Sequence, residues 1–122
     1  QMYPHRMAEL VNDDAEFVAL LNNDAWFEKS GGAKQLLAFT RLRAIENRRS
    51  IVRCSNGGIS CFIDPFGRIS GKLPWFTSTI GIQEVLCVSK KSFFTRHPEW
   101  FPKFCGVLLL ILILFFYFKP LQ

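Results

Sequence analysis

The side chains best suited to nucleophilic or metal chemistry are Cys54, Cys61, Cys87, Cys105, His5 and His97. A cysteine becomes a nucleophile only where a base or a positive charge stabilises its thiolate. The spacing offers neither. Cys54 stands at the end of a predicted strand and Cys61 inside one, and nothing in the sequence brings His97 to either. No two cysteines are separated by two residues, so paired zinc ligands are absent. Four cysteines in 122 residues are too few for a disulfide scaffold. Cys105 lies in an apolar run and reads as a small hydrophobe. The more informative positions are polar turns between apolar segments.

Composition narrows the classes. Hydrophobic residues make up 49% and charged residues 20%, which excludes a disordered polar chain and fits one small domain. Thirteen phenylalanines require burial or lipid. The net charge of +5 is unevenly spread: residues 1–28 hold six acids and one base, and residues 29–103 hold thirteen bases and four acids. Basic stretches suit phosphate, nucleic acid or anionic lipid, or form a solvated face. The arginines do not alternate with aromatics as a single-strand groove requires, so no nucleic-acid partner is expected. Residue 1 is Gln, and no basic-then-apolar leader opens the sequence. The chain therefore reads as processed or as a piece of something longer.

The elements that must hold the turns follow from periodicity. Met7 to Val11 predicts a short helix. Phe17 to Leu21 is a continuous apolar run, expected as a strand buried on both faces. Asn22-Asn23-Asp24 ends it, and Gly31-Gly32 breaks the chain again. Ala33 to Arg49 predicts a helix with Ala38, Leu42 and Ile45 inward, Phe39 beside them, and Arg43–Glu46 and Glu46–Arg49 pairs on the exposed side. Strands are expected at Ser50–Cys54, Ile59–Ile63, Arg68–Leu73 and Thr79–Val88. The turn Ser55-Asn56-Gly57-Gly58 needs positive φ, and Asp64-Pro65-Phe66-Gly67 is a Pro-initiated reversal. Strand, helix and meander together predict a layered α/β domain.

Phe104 to Phe118 is fifteen residues without a charge. A helix of that length spans ~22 Å against a ~30 Å hydrocarbon core. Trp100, Phe101 and Tyr117 extend it as interfacial aromatics, and Lys103 and Lys119 can reach outward from its ends. The run is apolar all round, which favours a membrane helix over a core helix.

Four motifs in order carry a resemblance. Asn23-Asp24-Ala25-Trp26-Phe27, Arg43-Ala44-Ile45-Glu46-Asn47, Ser55-Asn56-Gly57-Gly58-Ile59-Ser60 and Ile63-Asp64-Pro65-Phe66-Gly67 resemble successive segments of the carbon–nitrogen hydrolase (nitrilase) superfamily. Phe93-Phe94-Thr95-Arg96-His97-Pro98-Glu99-Trp100, followed by an apolar helix, resembles the closing segment of its apolipoprotein N-acyltransferase branch. Pro98 stands where that branch has Gly, and Glu28 where Gly often follows the Trp-Phe pair.

The resemblance implies the fold class α/β, as the C-terminal half of a nitrilase-like αββα sandwich followed by one transmembrane helix. It divides the chain into 1–102, the C-terminal part of a hydrolase domain, and 103–119, the membrane helix. It implies acyl transfer from a phospholipid donor to a diacylglyceryl-modified lipoprotein acceptor, through a cysteine thioester with a glutamate base and a lysine. It implies a monomer without cofactor or metal, in the bacterial inner membrane with the hydrolase domain on the periplasmic side. By spacing to Met7 and Leu10, the family's Cys-Tyr-Glu would end just before Gln1, so no catalytic residue is expected within this chain. Asn23, Asp24, Trp26 and Phe27 are the expected substrate-pocket residues. Two other readings stay open: a non-catalytic, membrane-anchored module that binds lipid headgroups, and a fragment of a nitrilase-family amidase.

Overall fold

In a computed structural model, residues 3–27 and 30–118 are described; Gln1, Glu28 and Lys119, singled out above, lie outside them. The order is α1 (Pro4–Asn12), β1 (Phe17–Asn23), a single 3₁₀ turn (Ala25–Phe27), α2 (Gly31–Asn47), β2 (Ser50–Asn56), β3 (Cys61–Ile63), β4 (Ile69–Ser70), α3 (Phe93–Arg96) and α4 (Trp100–Phe118). The strands form one four-stranded sheet in the order β1-β2-β3-β4.

Pro4 opens α1, where its fixed φ and missing N–H cost nothing. Met7, Ala8 and Val11 form its buried stripe. The Ser30 hydroxyl caps α2 by accepting from the Gly32 N–H at 3.3 Å. Gly31-Gly32 therefore forms the first turn of the helix rather than a break before it. The helix ends at Arg48, left-handed at φ 52°, with the Arg49 N–H returning to the Ala44 carbonyl at 3.1 Å. As the crossover between β1 and β2, α2 allows those strands to run parallel, Phe17 opposite Ser50 and Asn23 opposite Asn56. β3 and β4 return antiparallel through tight turns. In the second of these, the Gly67 N–H donates to the Asp64 carbonyl at 2.9 Å.

The core gathers Met7, Leu37, Ala44, Ile51, Ile59, Cys61 and Ile63, with Val18, Leu20 and Trp75 against it. The inward face of α2 is Ala33, Leu36, Leu37, Thr40, Arg43, Ala44 and Asn47. The expected inward residues Phe39, Leu42 and Ile45 are instead 40%, 44% and 39% exposed, and Ala38 is exposed too. Polar partners decide the difference. Thr40 receives Arg53, and Asn47 accepts from the Thr95 hydroxyl at 3.0 Å, so a stripe with polar members is the one that packs.

The Arg43–Glu46 pair, 2.9 Å, is largely buried rather than exposed. Arg43 Nε and Nη1 and the second Glu46 oxygen have no partner among the described residues. Arg49 does not pair with Glu46. It is fully buried and donates to the carbonyls of Ala15 (2.7 Å), Lys90 (2.9 Å) and Ser89 (3.3 Å), stapling the chain before α3 onto the sheet. Burial lowers its pKa, opposed by Glu16 and Asp14.

Two strand expectations change. β1 is not buried on both faces: Val18 and Leu20 pack half-buried against the core, while Phe17, Ala19 and Leu21 on the outer face are exposed. Thr79–Val88 forms no strand. It touches the domain through single bonds, such as Val88 N–H to the Glu16 carbonyl at 3.2 Å, and leaves Ile80 and Ile82 almost fully exposed. The third predicted strand, Arg68–Leu73, shortens to Ile69–Ser70.

α4 begins at Trp100, so Trp100 and Phe101 form its first turn rather than a flank. Nineteen residues give about 28 Å, close to the ~30 Å hydrocarbon core. No residue of it is buried, and it is the one helix among the described residues long and apolar enough to cross a membrane.

Candidate functional site

Open α/β sheets bind ligands beyond the carboxyl ends of their parallel strands. Here those ends are Asn23 and Asn56, paired in register, and the Asp24 N–H extends the ladder to the Asn56 carbonyl at 3.0 Å. The two turns that follow are interlocked. Asp24 is buried, and its carboxylate accepts from the Ser55 hydroxyl at 2.7 Å and forms a short ion pair with Arg53. Arg53, wholly buried on β2, also donates to Thr40 Oγ1 at 2.7 Å and the Ile59 carbonyl at 3.0 Å. One guanidinium thus ties α2, both turns and the sheet together. Such a pair offsets its desolvation only when its hydrogen bonds are well supplied, as they are here.

The glycines make the close approach possible. Gly57 has φ +69°, and a Cβ there would lie 2.8 Å from the Ala25 backbone. A Cβ on Gly58 would lie 2.8 Å from Asp24 Oδ2 and collide with the Ser55 hydroxyl. The turn after β2 edges a cleft of about 510 Å³, lined on one side by Cys54 to Gly58 and Ser60, and on the other by Leu73, Pro74 and Phe76 to Thr79.

None of the four expected pocket residues lines this cleft. Asp24 lies beneath it, closed off by Gly58. Asn23 Oδ1 accepts weakly from the Ala25 N–H and from Asn56 Nδ2, both at 3.4 Å, shaping the turn. Phe27 packs on Gly32 at the start of α2. Trp26 projects outward, 88% exposed among the described residues. The residue that sequence reading missed is Arg53. A charge between Val52 and Cys54 in a strand, two residues before Ser55, signals a buried acid nearby.

Cys61 is buried, and burial pushes its thiol pKa up, against the opposing pull of Arg53 and Lys72. Cys54 is exposed at the cleft edge. No cluster of three metal-ligating side chains forms among the described residues.

A parallel βαβ unit with a glycine turn at the end of its second strand is the layout of an α/β domain. The carbon–nitrogen hydrolase family pattern matches residues 1–88, and the chain belongs to that family. Within it, the chain is 37% identical over 114 residues to the apolipoprotein N-acyltransferase of Chlorobaculum tepidum, covering 90% of this chain and 21% of that protein. It is 38% identical over 107 residues to that of Rickettsia bellii, covering 88% and 20%. Over 99 residues it is 32% identical to that of Pseudomonas putida, covering 81% and 19%. The chain therefore spans about a fifth of the length of these curated relatives.

Proposed function

We propose that this chain is the C-terminal part of a membrane-bound N-acyltransferase, in which the paired turns form one wall of the acyl-transfer site. In the proposed reaction a cysteine thiolate attacks the ester carbonyl of a phospholipid. The ester oxygen leaves on the lysophospholipid, and the acyl group is held as a thioester. The N-terminal amine of a diacylglyceryl-modified lipoprotein then attacks that thioester, forming an amide and returning the thiolate. Splitting transfer into two displacements lowers each barrier, provided a general base and an oxyanion stabiliser are present. The nucleophile, glutamate base and lysine are proposed to precede Gln1, and this chain alone is proposed to be inactive.

The observation that carries the reading is the buried Asp24–Arg53–Ser55 lock at the ends of two parallel strands. It ties the Ser55–Gly58 turn, which faces the cleft, to the Asp24 turn beside it. Asn23, Asp24, Trp26 and Phe27 are proposed as pocket residues that another part of the protein completes, Asp24 acting from beneath by fixing the turn. The 19-residue apolar α4 supports a membrane anchor, as expected when both substrates carry lipid chains.

Reading the coding sequence immediately upstream of Gln1 tests the proposal. Cys-Tyr-Glu there, with an earlier glutamate, lysine and several apolar spans, supports it. A start codon adjoining Gln1 would overturn it in favour of a module without a nucleophile.

A further inference from the structure

A second concave surface lies away from the paired turns, between the C-terminal end of α2, the Asp64–Gly67 turn and the chain leading into α3. It is a groove of about 630 Å³, with an apolar floor that includes Ile45, Val88 and Phe94. Its rim is basic and aromatic. Phe66 is 61% exposed and carries a guanidinium on each flank, Arg48 at 5.5 Å and Arg68 at 5.8 Å from its ring centre. Lys90 stands across the groove. The acid in the groove, Glu46, is held by Arg43, and Lys91 is held by Asp14 at 2.9 Å. No ion pair engages Arg48, Arg68 or Lys90 among the described residues, so all three charges remain to be neutralised.

The groove is continuous with the start of the apolar helix. Phe93 on its rim is 63% exposed and packs edge-on against Trp100 at 5.7 Å, which in turn meets Phe101 at 5.6 Å. Aromatic rings at a helix end, beside unpaired cations, match the headgroup layer of a bilayer. We propose that this rim rests on anionic phospholipid headgroups beside α4, holding the domain against the membrane surface at a contact separate from the acyl-transfer cleft. The inference rests on the reading of α4 as a membrane anchor.

The test uses the full chain in nanodiscs of phosphatidylcholine alone or of equal parts phosphatidylcholine and phosphatidylglycerol, read by amide hydrogen exchange. The expected result is several-fold slower exchange at 66–68 and 89–93 in the anionic discs. Reversing the charges in Arg48→Glu/Arg68→Glu/Lys90→Glu should abolish the slowing, each charge contributing about fivefold to surface affinity. All three side chains are exposed, so β2 amides should stay equally protected in the variant. Equal rim exchange in both disc types, or slowing that survives in the variant, would overturn the proposal. So would the same slowing produced by inorganic phosphate without discs, which would assign the rim to a soluble anion. α4 amides report the anchor separately. If they exchange freely while the rim still slows on anionic discs, the spanning helix fails and the surface contact stands.

Discussion

The paired turns at Asp24 and Ser55 and the stretch from Gly71 to Lys91 differ in where their partners lie. In the turns, the buried acid, the buried base and the hydroxyls between them meet within this chain. In the later stretch, Leu73 reaches the Ser60 carbonyl and Leu86 receives the Ser50 hydroxyl, yet no ladder forms. Ile80 and Ile82 are 88% and 95% exposed. The first region is specified by its own polar bookkeeping. The second has the apolar alternation of a strand without a neighbouring strand or layer to bury it. Residues that satisfy one another fold locally, and residues that only repel water need a surface to cover.

Five substitutions break or sharpen that contrast, each read as a shift in the unfolding transition of the full chain in detergent. Arg53→Ala should have the largest effect, a loss of about 3–5 kcal/mol, because Asp24 would stay buried without its cation. A loss below about 1 kcal/mol would mean water reaches Asp24 and the lock is open in solution. Gly58→Ala should cost about 1–3 kcal/mol through overpacking against Ser55 and Asp24. Gly31→Ala, where nothing lies within 4 Å, is the matched control and should be neutral or stabilising.

Glu46 gives a smaller, pH-dependent effect. Burial raises its pKa above the ordinary 4.5, outweighing the opposing Arg43. The folded state then holds the proton more tightly than the unfolded one, so the contribution of Glu46 to stability falls as pH rises through and above 4.5. The stability of the wild type relative to Glu46→Gln should therefore decline from acid to neutral pH. A rise over that range would show that the ion pair, not burial, dominates. Ile82→Thr should change stability least, within about 0.5 kcal/mol. A larger loss would show that the Gly71–Lys91 stretch is packed after all.

Much of the layout was legible in sequence. The apolar run Phe17–Leu21 marked a strand, Asn56-Gly57-Gly58 a positive-φ turn, and Phe104–Phe118 a helix without a polar face. Those signals are local: periodicity, turn chemistry and length. The inward face of α2 was not legible, because Phe39, Leu42 and Ile45 are the more apolar choice. Packing instead followed Thr40 and Asn47, whose partners Arg53 and Thr95 lie 13 and 48 residues away. The strand predicted at Thr79–Val88 failed for a related reason, since alternation shows that a segment can pair but not that a partner is beside it.

The sequence by itself determined the family motifs, the turn residues and the apolar helix, because each depends on residues a few positions apart. Only the tertiary structure decided that Asp24 is buried and paired, that Trp26 stands exposed, and that Arg53 joins both turns. Burial of a charge is set by what folds over it, and the residues that enclose Asp24 come from α2, β2 and the Gly57-Gly58 turn at once.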